Sequence, residues 1–212
     1  MPDHGGNPQL RAASNDSPKR RQVLDAAQDL FLANGYGAVS MDAVARRAGV
    51  SKATLYAHFE SKEALFATML GRYSLADTLA DELFASPAGD LRALLEAVGR
   101  IVLRFLLREH ALALVSIAIA ESARFPELGC AFYDRGPRRT HEQMRDWVAA
   151  QQAAGRVRAD ADPHVAAEQF AALLRSDLFL RAVLDVPPPP TEAEIERTVV
   201  VAVDSWLRAY AA

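Results

Sequence analysis

The stretch Ser40–Lys62, SMDAVARRAGVSKATLYAHFESK, decides how this chain is read. Residues 42–48 have the composition of a short helix, with Ala43, Val44 and Ala48 on one side and Arg46 and Arg47 outside. Gly49 supplies the left-handed backbone that ends a helix at little cost, and Val50 is the apolar residue that plugs the corner. Ser51 then caps a second short helix, in which Leu55 and Phe59 form the inward pair. Two small helices joined by a glycine-containing turn have the composition of a helix-turn-helix. The polar face of the second helix presents Lys52, Thr54, Tyr56 and His58, side chains suited to phosphate oxygens and base edges.

Working outward, Ser17-Pro18 is a helix start, an N-cap followed by proline at the first helical position. Val23, Leu24, Ala27, Leu30 and Phe31 recur at helical spacing as far as the stop at Asn34-Gly35, so this helix is expected to back the helix-turn-helix. On the other side, Ser61 caps a helix with Leu65, Phe66, Met69, Leu70 and Tyr73 on a broad face. It is expected to run to about Phe84, before the break at Ser86-Pro87-Ala88-Gly89. Residues 1–16 are rich in Gly, Pro, Asn and Ser without periodicity, and read as a disordered arm. Arg11 and the cluster Lys19-Arg20-Arg21 also allow a minor-groove arm at this end.

With its preceding helix, this stretch resembles the DNA-binding domain of the TetR family of bacterial transcription regulators. The resemblance is carried by Phe31, Gly35-Tyr36-Gly37, Ala43-Val44-Ala45, Gly49-Val50-Ser51, Thr54-Leu55-Tyr56-Ala57-His58-Phe59 and Ser61-Lys62-Glu63-Ala64-Leu65. It implies that the second short helix is the recognition helix, with Lys52 and Ala53 nearest the groove floor. Lys52 then suits guanine acceptors and the Ala53 methyl a thymine methyl. Thr54, Tyr56 and His58 match positions that in this family mostly touch phosphates or nearby bases. Lys62 heads the following helix, where a positive charge and free amides suit a phosphate, and Ser40 holds the analogous place one helix earlier. Ser40 and Ser51 also read as simple caps, and Tyr56 as half-buried packing.

A chain of 212 residues, half of them hydrophobic, has the material for a sizeable core in one domain or two. The net charge of −3 is not that of a basic nucleic-acid binder, but Lys19, Arg20, Arg21, Arg46, Arg47, Lys52 and Lys62 all fall in the first third. Counterion release depends on the contacting face rather than on the total. The single cysteine, Cys130, excludes an intrachain disulfide and suggests a reducing compartment. No apolar run follows the first charges, and the apolar segment 111–120 is shorter than the about 20 residues a bilayer span needs. The expected location is the cytoplasm.

Beyond residue 71 the pattern stays helical and no strand-like alternation of useful length occurs, so the expected architecture is all-α. Its parts are an arm at 1–16, a three-helix helix-turn-helix domain at 17–70, and a helical effector-binding and dimerisation domain at 71–212. Leu91, Leu94, Leu95, Val98, Val102, Phe105 and Leu106 make one helix, and 110–123 a more uniformly apolar one, buried on several sides. Residues 124–128 read as a kink or short loop, followed by a helix at 138–154. Asp162-Pro163 starts another helix, Pro187–Pro190 interrupts, and Thr191-Glu192-Ala193-Glu194 is a capping box for the last. The last two helices carry apolar surface on more than one stripe, which fits a four-helix interface with a second copy about a two-fold axis. Such a pair sets its recognition helices in successive major grooves, about 34–36 Å apart, on a pseudo-palindromic operator.

This second half resembles the C-terminal domain of the AefR-like repressors within the same family. Glu121-Ser122, Arg124-Phe125-Pro126-Glu127-Leu128, Phe132-Tyr133, Gly136-Pro137 and the segment from Ala167 to Arg181 carry the match. Family members usually hold an inducer among the central helices, which makes Phe105, Ile117, Glu121, Phe125, Trp147 and Phe170 the candidate lining, with Glu121 as a polar handle. The same residues also read as plain core, and Glu121/Arg124 or Asp177/Arg181 as ion pairs at helical spacing. No metallohydrolase, serine-hydrolase or phosphate-loop motif is present, and the five histidines are scattered. The expectation is therefore a homodimeric regulator, a repressor rather than an enzyme, released from operator DNA by a small apolar or amphipathic effector, with no cofactor or metal. The alternatives are a helical small-molecule-binding or scaffold dimer with a vestigial DNA face, and an all-α enzyme that contains a helix-turn-helix.

Overall fold

The computed structural model describes residues 17–72, 75, 76, 79 and 90–212. Among these the chain is all-α. Its helices are α1 (Pro18–Asn34), α2 (Met41–Arg47), α3 (Lys52–His58), α4 (Lys62–Gly71), α5 (Leu91–Leu106), α6 (Glu109–Glu121), α7 (Pro126–Arg135), α8 (Pro137–Ala153), α9 (Pro163–Val183) and α10 (Glu192–Tyr210). The expected arm at 1–16 and the break at 86–89 lie outside the described residues.

Each of the first four helices starts on a serine whose side chain accepts an amide that the helix cannot satisfy itself. Ser17 takes Arg20 N, Ser40 takes Ala43 N, Ser51 takes Thr54 N and Ser61 takes Ala64 N, all at 3.1–3.2 Å. Gly49 holds φ 63°, a conformation that costs other residues strain, and so turns the chain between α2 and α3. The inward residues of α2 are Val44, Ala45 and Ala48 rather than Ala43, which is only half-buried. Phe31, Tyr36 and Phe66 are fully buried and meet with ring centroids 5.3–5.5 Å apart, locking α1, the turn after it and α4 together.

A second cluster joins α5, α8, α9 and α10 around Leu95, Val98, Trp147, Phe170, Leu174, Val199 and Trp206. Trp206 is fully buried, and its indole N–H donates to the Ala166 carbonyl at 2.8 Å. Gly99 lets α5 approach closely: a Cβ there would lie 3.0 Å from Val199 Cγ1 and 3.3 Å from Leu174 Cδ2. Ion pairs lace the outer seam of α5 and α10, with Arg92 to Asp204 at 2.5 Å, Arg100 to Glu196 at 2.6 Å, and Arg104 to Glu192.

The capping box at Thr191 forms. Glu194 accepts from both the Thr191 amide and hydroxyl at 2.9 Å, and from Arg181 at 2.7 Å. Those donors hold its carboxyl down from 4.5 to about 2. A depressed carboxylate contributes stability that is complete above 4.5 and is lost as pH falls toward 2. Thermal melts should therefore show the gap between wild type and Glu194→Gln constant at neutral pH and closing across that window. A gap independent of pH would contradict the assignment.

Several expectations are corrected. The helix after Ser61 is described as far as Gly71, Leu75, Ala76 and Leu79 are again helical, and the expected end near Phe84 lies outside the described residues. Residues 126–128 are not loop: Pro126 opens α7, since proline is tolerated where an amide would be unpaired anyway. Helix α6 is buried on one side only, through Ala111, Leu114 and Ala118, while Ile119 is 67% exposed. Helix α9 is broken at Ser176 (φ 21°, ψ −164°). Leu114 of α6 and Leu128 of α7 pack into the cluster of α1–α4, so the two halves share a core.

Candidate nucleic-acid interface

Helix α3 is two-sided. Leu55 and Phe59 are buried in the cluster of α1–α4, whereas Lys52, Ala53 and Tyr56 are exposed and Thr54 and His58 are half-buried. Tyr56 is 49% exposed, too open to be packing alone. The guanidinium of Arg20 lies 5.2 Å from the Phe59 ring, fixing the start of α1 behind α3. The predicted face of the recognition helix is thus presented as one surface.

Four of the expected contact residues, Ser40, Lys52, Thr54 and Lys62, already have partners inside the protein. Lys52 Nζ is 2.5 Å from Asp42 Oδ2, a brace from α3 to α2 in which both side chains are largely exposed. Lys62 is turned inward. Its Nζ donates to the carbonyls of Tyr36 and Val39, both at 3.0 Å, and lies 4.2 Å from the Tyr36 ring and 5.5 Å from that of Phe125. Two of its three donors are therefore used, and its first role is to hold the turn that leads into α2. Ser40 and Ser51 act as caps, and Ser51 Oγ also lies 2.8 Å from Thr54 Oγ1.

The six residues proposed to line an effector cavity fall in two packing clusters. Ile117 and Phe125 pack with the cluster of α1–α4, and Glu121 accepts the Gly37 amide at 2.7 Å, so this carboxylate is no handle for a central ligand. Phe105, Trp147 and Phe170 belong to the other cluster. The family resemblance named the six together but not what each faces. Sequence reasoning missed Asp42, whose partner is 10 positions away, and the Glu121–Gly37 contact, which spans 84. Among the described residues no group of His, Cys, Asp and Glu is placed to hold a metal ion, and no helix is long and apolar enough to cross a membrane.

A capped, exposed polar helix set on a buried apolar pair and braced to its predecessor defines a helix-turn-helix DNA-binding protein. Residues 23–69 match the bacterial regulatory proteins of the tetR family, and residues 93–212 match the AefR-like transcriptional repressor C-terminal domain. A crystallised TetR-family regulator of Mesorhizobium loti superposes with a TM-score of 0.81 at 26% identity, over 98% of this chain and 100% of that one. The flavonoid-responsive regulator FrrA gives 0.76 at 38% identity, over 91% and 97%. The transcriptional activator FasR of Mycolicibacterium smegmatis is 45% identical over 69 residues, 32% of this chain and 31% of its own length. The chain spans 27–56% of the first curated relatives it matches. The chain belongs to the TetR family of transcriptional regulators.

Proposed function

We propose that the chain is a homodimeric repressor, and not an enzyme, that binds a pseudo-palindromic operator in the cytoplasm and is released by a small effector. Residues 17–70 form the reader, residues 71–212 the effector and dimerisation unit, and residues 1–16 an arm. The observation that carries this reading is the single exposed face of Lys52, Ala53 and Tyr56 on a helix whose other side is buried. Lys52 and Ala53 read base edges, Thr54, Tyr56 and His58 meet phosphates or nearby bases, and Lys62 offers its remaining donor to a phosphate. Binding to operator duplex should fall steeply with salt and keep its sequence preference. Shallow salt dependence with no preference would favour a dimer with a vestigial DNA face.

Two variants test the contacts. Tyr56→Ala should weaken binding about tenfold, as loss of a hydrogen bond to a charged group does. Asp42→Asn should strengthen it about two- to fivefold, because an exposed ion pair no longer competes for Lys52. Fluorescence anisotropy measures both; unaltered affinity in both variants would remove Lys52 and Tyr56 from the interface.

Dimerisation is supported by α9 and α10, which leave Leu173 (37% exposed), Leu180 (56%), Leu184 (64%), Val200 (39%) and Val201 (57%) uncovered. The effector is amphipathic and binds in the C-terminal core, where Trp147 Nε1 and Gln151 Oε1 are buried without hydrogen-bond partners. A donor and an acceptor one helical turn apart suit a hydroxylated aromatic, and the similarity to a flavonoid-responsive regulator supports that class. An effector that binds one dimer geometry better spreads the readers out of register with the grooves.

A further inference from the structure

The turn between α1 and α2 is gripped from two directions. From within the reader, Lys62 holds the carbonyls of Tyr36 and Val39, and the Tyr36 hydroxyl donates to Glu63 at 3.1 Å. From the other half of the chain, Glu121, the last residue of α6, accepts the Gly37 amide at 2.7 Å, and Phe125 sets its ring edge-on to Tyr36 at 5.3 Å. Both carboxylate oxygens of Glu121 face this turn. A Cβ added at Gly35 would lie 2.6 Å from Oε1, and one at Gly37 would lie 2.8 Å from Oε2 and 3.2 Å from Phe125 Cε2. Gly35 also holds φ 76°, which disfavours any side chain. The two glycines thus make room for one carboxylate.

We propose that Glu121 is a positioning residue for DNA reading: its hydrogen bond to Gly37 fixes the orientation of the helix-turn-helix on the C-terminal domain. The inference rests on the DNA-reading function proposed above. A carboxylate accepting an amide is a charge-assisted bond of defined direction. Gly37 lies three residues before Ser40, the cap of α2, so a displaced turn carries α2 and its braced partner α3 with it. The end of α6 is then where a rearrangement of the C-terminal core reaches the reader. Released from this contact, each reader pivots on its domain, and the pair no longer selects one separation of half-sites.

The test uses the full chain as wild type, Glu121→Gln, Glu121→Ala and Gly37→Ala. Glutamine keeps an acceptor oxygen; alanine removes it; the added methyl at Gly37 pushes the carboxylate away. The first measurement is hydrogen exchange at the Gly37 amide, which needs no DNA. Protection should persist in Glu121→Gln and be lost in Glu121→Ala. The second is affinity for a duplex recovered from a random-sequence pool by wild type, compared with the same duplex carrying two base pairs inserted between its half-sites. Wild type and Glu121→Gln should prefer the original by about tenfold, a usual size for coupling between sites, and the other two variants by less than about twofold. Tryptophan emission should melt at an unchanged temperature, since Trp147 and Trp206 both lie in the other cluster. Full spacing preference in Glu121→Ala, or equal loss in the alanine and glutamine variants at position 121, would overturn the proposal. A wild type with no sequence preference would instead defeat the DNA-reading function, while exchange at Gly37 still decides the contact.

Discussion

Placing aspartate at both Leu173 and Val201 should split the dimer and lower operator affinity about a thousandfold, the order of gain that linking two binding modules provides. The two side chains border one shallow depression on the outer face of α9 and α10, together with Ser176, Arg197 and Thr198. They are 37% and 57% exposed in the protomer, so charge there is solvated in the single chain and leaves its fold intact. In a two-fold interface both substitutions occur on both subunits, so four carboxylates would be desolvated together. Sedimentation should report monomers with unchanged far-ultraviolet circular dichroism, and anisotropy a weak, single-site interaction with operator DNA. A stable dimer in this variant would show that the subunits pair elsewhere.

Phe31→Ala should melt the reader while leaving the C-terminal core folded. Phe31 is fully buried, stacked on Tyr36 at 5.5 Å and edge-on to Phe66 at 5.4 Å, so its loss removes the centre of the smaller cluster. Truncating a buried phenylalanine costs about 3–5 kcal/mol, a large share of what a unit of this size has. The chain's two tryptophans, Trp147 and Trp206, both sit in the other cluster and report on it alone. Circular dichroism should then show an early transition that tryptophan emission does not. Coincident transitions by the two probes would contradict the division of the chain near residue 71, and Leu114 and Leu128, which come from the second half and pack in the first cluster, would be the reason.

What was legible in the sequence was local. The serine caps, the turn at Gly49, the capping box at Thr191 and the inward pair of α3 each rest on residues within a turn of one another, and each forms as expected. Helix α7 replaces the kink or short loop expected at residues 124–128, because proline at a first helical position starts a helix. The mostly apolar run of α6 suggests burial on several sides, yet Ile119 faces solvent. The candidate effector lining divides between two clusters for a related reason: a family resemblance names candidate positions, not the neighbour that covers each. Glu121, expected as a polar handle or as the ion-pair partner of Arg124, accepts a backbone amide 84 positions away, which no local spacing indicates.

The measurement that tests the central claim most directly is selection of duplex DNA from a random-sequence pool by the full chain, followed by hydroxyl-radical footprinting on the recovered fragments. Two inverted half-sites with centres about one helical turn apart, protected on one face of the duplex, are expected of paired α3 helices. Recovered fragments without a shared motif, or a single protected half-site that Tyr56→Ala binds as well as wild type, would contradict it.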